Sequence, residues 1–155
     1  MQVTVNKMKN PNDMLQRILK LIRESSLRMT RKREHLLTVL SNQDRPVSAS
    51  ELRERAELPK SDLVTVYRNL ETFEGLGIIQ RIPLEGHGCL FELTEPNDQH
   101  NHLVCRECHR AERLNLCLGQ ELETKARESG FTQINHVMEV YGLCRECRPK
   151  LASAD

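Results

Sequence analysis

Two copies of Cys-Arg-Glu-Cys stand at positions 105–108 and 144–147, with 35 residues between them. Four cysteines in two Cys-x-x-Cys pairs suit one tetrahedral ion held by four thiolates. Two intervening residues let both sulfurs of a pair reach the same ion at about 2.3 Å, each pair coming from a strand end or turn. A redox role needs one pair at the start of a helix inside a βαβ unit, and no such unit is readable here. Four unconnected buried thiols are the other alternative. The spacing assigns Cys105, Cys108, Cys144 and Cys147 to one structural zinc per chain. With all four positions filled by protein, no water or substrate can enter, so the ion is not catalytic.

A second group of ligand types lies just upstream. His100 and His102 alternate along an extended stretch and so face the same side. Glu92 falls on the strand before them, and His87, Cys89, Glu112 and His136 are further candidates for the same neighbourhood. Imidazole, carboxylate and thiolate together suit zinc or ferrous iron. Solvated loop histidines are the alternative reading, and Cys89 and Cys117 read equally well as small buried hydrophobes.

The chain that must position these groups has 155 residues, is 38% hydrophobic and only 3% aromatic, and lacks tryptophan. That is enough for one domain or two small ones, one of which needs help from a metal or a partner chain. No apolar run approaches the ~18 to 20 residues of a membrane span, and the N-terminus lacks the apolar centre of a signal peptide. A soluble cytoplasmic protein is expected, where paired cysteines more often hold metal than form disulfides. Residues 1–83 carry 15 Lys and Arg against 10 Asp and Glu, while residues 84–155 carry 8 against 12. A basic half suits a polyanion, although a solvated surface with chance asymmetry gives the same count.

The first half reads as helices. Asp13 can cap a segment with Met14, Ile18 and Ile22 on one stripe. Thr30 begins a second helix whose first turn holds Arg31, Lys32 and Arg33, three cations against the helix dipole unless something anionic lies near. Ser48 and Glu51 form a capping box. Ser61 or Asp62 caps a fourth helix with Leu63, Val66, Leu70 and Phe73 inward, ended by Gly75 and Gly77. A short helix, a break and an amphipathic helix make a helix-turn-helix. The segment 78–93 then reads as a hairpin turning at two glycines, which completes a winged helix, whose second helix enters the major groove of DNA.

The expected fold is therefore α+β. A winged-helix domain over residues 1–94 is hinged at 95–100 to a small α/β domain over 101–155 that carries the cysteines. There, "HLVC" and "RAERLNL" read as short strands, "GQELETKARES" as a helix, and "FTQINHVMEVYG" as a strand.

Six stretches, "LRMTRKREHLLTVL", "SASELR", "VTVYRNLETFEGLGIIQRI", "FELT", "HNHLVCREC" and "NHVMEVYGLCREC", resemble the ferric uptake regulator family, in the family order over about residues 25–148. The resemblance implies a homodimeric transcriptional repressor that binds a palindromic operator in double-stranded DNA when a regulatory metal fills a site at the hinge. It implies that Tyr67 and Arg68 touch bases from the recognition helix and that Arg28 enters the minor groove. It also matches Glu92, His100 and His102 to ligands of the regulatory site, with Cys89 or Glu112 completing it. Departures from the family pattern are informative. Pro46 stands where iron-sensing members often have a histidine. Gln99 and Asn101 replace the His and Asp of a third site, which leaves His136 without its usual companions. Glu92 stands where peroxide-sensing members have Asp. A thiolate at Cys89 favours zinc over ferrous iron as the regulatory metal, as in a zinc uptake regulator, with an iron-responsive regulator as the alternative.

Two other classes fit the residues less well. A zinc-dependent nucleobase deaminase needs H-x-E followed by P-C-x-x-C, and neither occurs. No other acid–base constellation stands out, so no enzyme is expected. A zinc-carrying adaptor that binds protein rather than DNA is disfavoured by the basic N-terminal half with its Tyr-Arg pair.

Overall fold

Pro11 opens the first helix, α1 (Pro11–Glu24), a position where proline's missing N–H is not needed and its fixed φ is already helical. The helix thus starts before Asp13, which is not its cap but an acid in the first turn, paired with Arg17. The computed structural model describes residues 11–95, 101–114, 119–134 and 138–148. These fall into two units, one within residues 7–99 and one within 100–155.

In the first unit Thr30 caps α2 (Arg31–Ser41), its hydroxyl accepting from the Arg33 N–H. Two of the three cations of that first turn find partners within the unit. Lys32 Nζ reaches the Asp62 carboxylate at 2.7 Å. Arg33 donates to the Asn69 side chain at 3.0 Å and to the Arg28 carbonyl at 2.6 Å.

A two-residue strand, β1 (Val47–Ser48), leads into α3 (Ala49–Arg55). Ser48 Oγ accepts from the Glu51 N–H at 3.1 Å, as the capping box requires. The Glu51 carboxylate goes instead to Arg45 and Arg55, so only half of the box forms. A 3-10 turn (Lys60–Asp62) then feeds α4 (Leu63–Gly75). Neither expected cap operates here. Asp62 stands at the cap position without a side-chain bond to the helix, because its carboxylate is taken by Lys32. At the other end Gly77 adopts φ +68. Gly77 and Ile78 return N–H bonds to Glu74 and Phe73 carbonyls, the closing pattern of a Schellman motif.

The strands β2 (Ile79–Leu84) and β3 (Gly88–Leu93) form the hairpin, and β1 pairs on the other side of β3, giving the order β1-β3-β2. The turn at Glu85–His87 carries Gly86 at φ +74, a conformation that a type II turn demands at its third position. Leu36, Leu37, Leu52, Val66, Leu70, Phe73 and Phe91 are fully buried together in one core. Helix-turn-helix plus hairpin is a winged helix.

The second unit is a three-stranded sheet, β4 (Asn101–Cys105), β5 (Ala111–Leu114) and β6 (Glu139–Gly142), ordered β5-β4-β6, with helix α5 (Gly119–Glu128) between β5 and β6 in sequence. The strand expected over 131–142 is shorter, since 131–134 is not strand and His136 lies outside the described residues. The β4–β5 pair is antiparallel and the β4–β6 pair parallel. Among the described residues its buried apolar side chains are only Val104, Cys105, Ala111 and Cys147. Half of that core is sulfur. No helix among the described residues is long and apolar enough to cross a membrane.

Candidate metal centre and nucleic-acid interface

Parallel pairing decides where the cysteines meet. Because β4 and β6 run the same way, with Cys105 opposite Gly142, both chains turn off the sheet at the same end. Cys105 closes β4 and Cys108 sits in the turn to β5, while Cys144 and Cys147 follow β6. The Arg106 N–H bonds the Gly142 carbonyl at 2.8 Å, and Arg148 and Cys147 N–H groups fold back on the Cys144 carbonyl. Outside the cluster, Arg110 makes a two-pronged ion pair with Glu146 at 3.2 and 3.0 Å, joining the two turns.

All four sulfurs lie within 4.8 Å of one another. The Cys108 and Cys144 sulfurs are 3.8 Å apart, about the edge of a tetrahedron with 2.3 Å metal–sulfur bonds. The donor set and its geometry fit a four-thiolate metal site.

The sulfurs do not ionise alike. Burial pushes the Cys105 thiol up, but the backbone N–H groups of Cys108, Cys144 and Glu107 outweigh it and hold Cys105 at about 6. One of these donors, the Cys144 N–H, is 3.4 Å from the sulfur. Cys147 is pushed up to about 12, first by its side-chain contact with Cys144 and then by burial. The Arg110 N–H pulls the Cys108 thiol down, but burial and contacts with the Cys105 and Cys144 sulfurs outweigh it and leave Cys108 raised. Without metal near neutral pH, Cys105 is therefore a thiolate while Cys108 and Cys147 keep their protons. Zinc binding at pH 7.5 is expected to release at least about two protons per ion, those of Cys108 and Cys147. Its affinity then falls as pH falls, more steeply below about pH 6, where Cys105 also takes up a proton. Calorimetry in buffers of different ionisation enthalpy measures the number directly. A release of less than one proton would contradict this ordering.

The second group of ligand candidates is only partly brought together. His102 is fully buried on β4. His100 lies outside the described residues. Glu92 is buried on β3, but Cys89 is not its companion. The β2–β3 register runs one for one from Ile79↔Leu93 to Leu84↔Gly88, so no bulge rotates the strand. Cys89 shares its face with Phe91 and Leu93 and packs on the core of the first unit, while Glu92 points the other way. Burial raises the Cys89 thiol further.

Glu112 is likewise turned from His102. It pairs with Leu103, one residue on and hence on the opposite face, where it is exposed and 3.9 Å from Arg110. Directly beside His102 on its face stand its register partners, Arg113 on β5 and Glu139 on β6. Burial pushes the Glu139 carboxyl up, and His102 pulls it down. The sequence alternation placed Glu139 on a strand, but a parallel register between β4 and β6 has no local sequence signal.

The DNA candidates lie on the surface of the first unit. Val64 and Tyr67 are among its exposed large apolar side chains, and Arg68 is exposed beside them. These three fall on one face of α4, opposite buried Val66, Asn69, Leu70 and Phe73. Arg28 is exposed between Leu27 and Met29, which pack on the core. Arg33, legible in the sequence only as a cation, ties the Arg28 backbone to Asn69 of α4.

A winged helix joined in one chain to a four-cysteine metal centre defines the class, a nucleic-acid-binding fold with a built-in metal site. The ferric uptake regulator family model matches residues 24–141, and the chain belongs to that family of metal-responsive transcription regulators. It is 29% identical over 143 residues to a ferric uptake regulation protein of Staphylococcus epidermidis, covering 91% of this chain and 98% of that one. Among solved structures, the Vibrio cholerae ferric uptake regulator is 30% identical, with a TM-score of 0.65 over 81% of this chain and 98% of that one. A zinc uptake regulator complexed with zinc and DNA is 26% identical, with a TM-score of 0.63 over 94% of this chain and 99% of that one.

Proposed function

We propose that this chain is a metal-dependent repressor that binds a palindromic site in double-stranded DNA as a homodimer, holding a structural zinc at its four cysteines and a second, regulatory divalent ion. The observation that carries the reading is the outward face of α4. Tyr67 and Arg68 stand beside exposed Val64 on the second helix of a helix-turn-helix, where a guanidinium can pair with guanine and apolar groups can meet thymine methyls. The solved relative bound to zinc and DNA supports the same use of this fold. A homodimer is supported by the outer face of the second unit's sheet, which exposes Leu103 and Val140 at 43% each, with Leu143 beside the β6 end. A partner copy would cover that apolar surface.

The regulatory ion takes His102, with Glu92 and His100 as the further ligands expected from sequence. Cys89 drops out of this set, and with it the thiolate that favoured zinc over ferrous iron. Imidazole and carboxylate accept either metal. The ion acts by binding the DNA-competent form more tightly than the idle form, and DNA reciprocally tightens the ion. His102→Ala is expected to keep the cysteine-bound zinc and the dimer but to lose metal-stimulated DNA binding. Ultracentrifugation, zinc content and anisotropy with labelled duplex check the three properties. Undiminished metal stimulation in that variant would place the switch elsewhere.

A further inference from the structure

Both sequence candidates for completing the regulatory site, Cys89 and Glu112, are turned away from the ligands they were to join, and a different carboxylate stands next to His102. We propose that Glu139 is a direct ligand of the regulatory ion. The inference rests on the reading that His102 binds that ion. His102 and Glu139 are register partners on adjacent parallel strands, so their side chains leave the same face with backbones about 4.8 Å apart. That separation lets one imidazole nitrogen and one carboxylate oxygen meet a single ion at about 2.0 to 2.2 Å.

The state of the carboxylate also points to a cation. Glu139 Oε1 is buried, and it has no hydrogen-bond partner among the described residues. A buried carboxylate oxygen without a partner is destabilising. A divalent ion on His102 would satisfy it. The other charged group in the row is Arg113, across β4 on the far side of His102. A guanidinium there opposes a metal ion on the same face, and the Glu139 carboxylate offsets it. An imidazole with a carboxylate is a donor set that zinc and ferrous iron both accept.

The test uses full-length protein with its cysteine-bound zinc in place and cobalt(II) as the probe ion, following affinity and the visible absorption band. Wild type, His102→Ala, Glu139→Gln and Glu139→Asp are compared, with zinc content and circular dichroism confirming the fold. Glu139→Gln is expected to weaken cobalt binding at least about 10-fold and to shift the band, because a charged oxygen ligand is lost. Glu139→Asp, which keeps the carboxylate, should retain part of the affinity, and it serves if the Gln variant does not fold. Cobalt binding unchanged by His102→Ala would overturn the reading of the regulatory site itself. Loss on His102→Ala with a wild-type band in Glu139→Gln would overturn only the Glu139 assignment, even if affinity fell.

Discussion

Cys108→Ser is expected to unfold the second unit while the winged helix keeps its structure. Cys108 is exposed, so trimming its sulfur to oxygen removes no core packing. Whatever stability is lost is lost through the metal. The second unit has little else, since its described apolar core is two aliphatic side chains and two of the cysteines. Structural zinc in small domains contributes ~10 to 16 kcal/mol to folding, and a three-cysteine site forfeits a large part of that. The first unit rests on its own apolar cluster of α1 to α4 with β3 and does not depend on the ion. Hydrogen exchange by residue, together with zinc content, should therefore show protection lost after residue 100 and kept before it. A variant without zinc and with both units fully protected would contradict the structural role.

Arg68→Ala is expected to weaken DNA binding by about 1 to 3 kcal/mol, roughly 5- to 150-fold, and to relax sequence preference. Arg68 is exposed, its neighbours Val66, Asn69 and Leu70 hold the helix from the other side, and the change leaves that packing alone. Arg28→Ala should differ in kind. It removes a cation suited to a narrow minor groove, so affinity falls chiefly at A·T-rich flanks and with a shallower salt dependence. The probe is a duplex selected from a random pool in the presence of metal. Wild-type affinity and preference in both variants would mean that DNA meets another face.

The four-cysteine site and the helix-turn-helix were legible because their signals are local. Cys-x-x-Cys spacing, Thr30 before its helix and Ser48 three residues before Glu51 act within one turn of chain. What sequence reading missed depends on register or on distant partners. Asp62 reads as a cap until Lys32, thirty positions earlier, claims its carboxylate. Cys89 and Glu112 are expected as ligands from the family resemblance, and strand alternation already sets Cys89 against Glu92 unless a bulge intervenes. An odd offset on a strand turns a side chain to the opposite face, and the registers of β2–β3 and β4–β5 turn Cys89 from Glu92 and Glu112 from His102. Glu139 went unnoticed for the converse reason, since only the parallel pairing of β4 and β6 sets it beside His102.

The central claim is that a second ion per chain switches DNA binding. It is tested most directly by titrating zinc, ferrous iron and manganese, at buffered free concentrations, into protein that retains its cysteine-bound zinc but is otherwise stripped, with the selected duplex present. The account predicts that DNA affinity rises steeply with at least one of these metals and saturates at one further ion per chain. DNA affinity that stays the same from stripped to saturated protein, with all three metals, would contradict it.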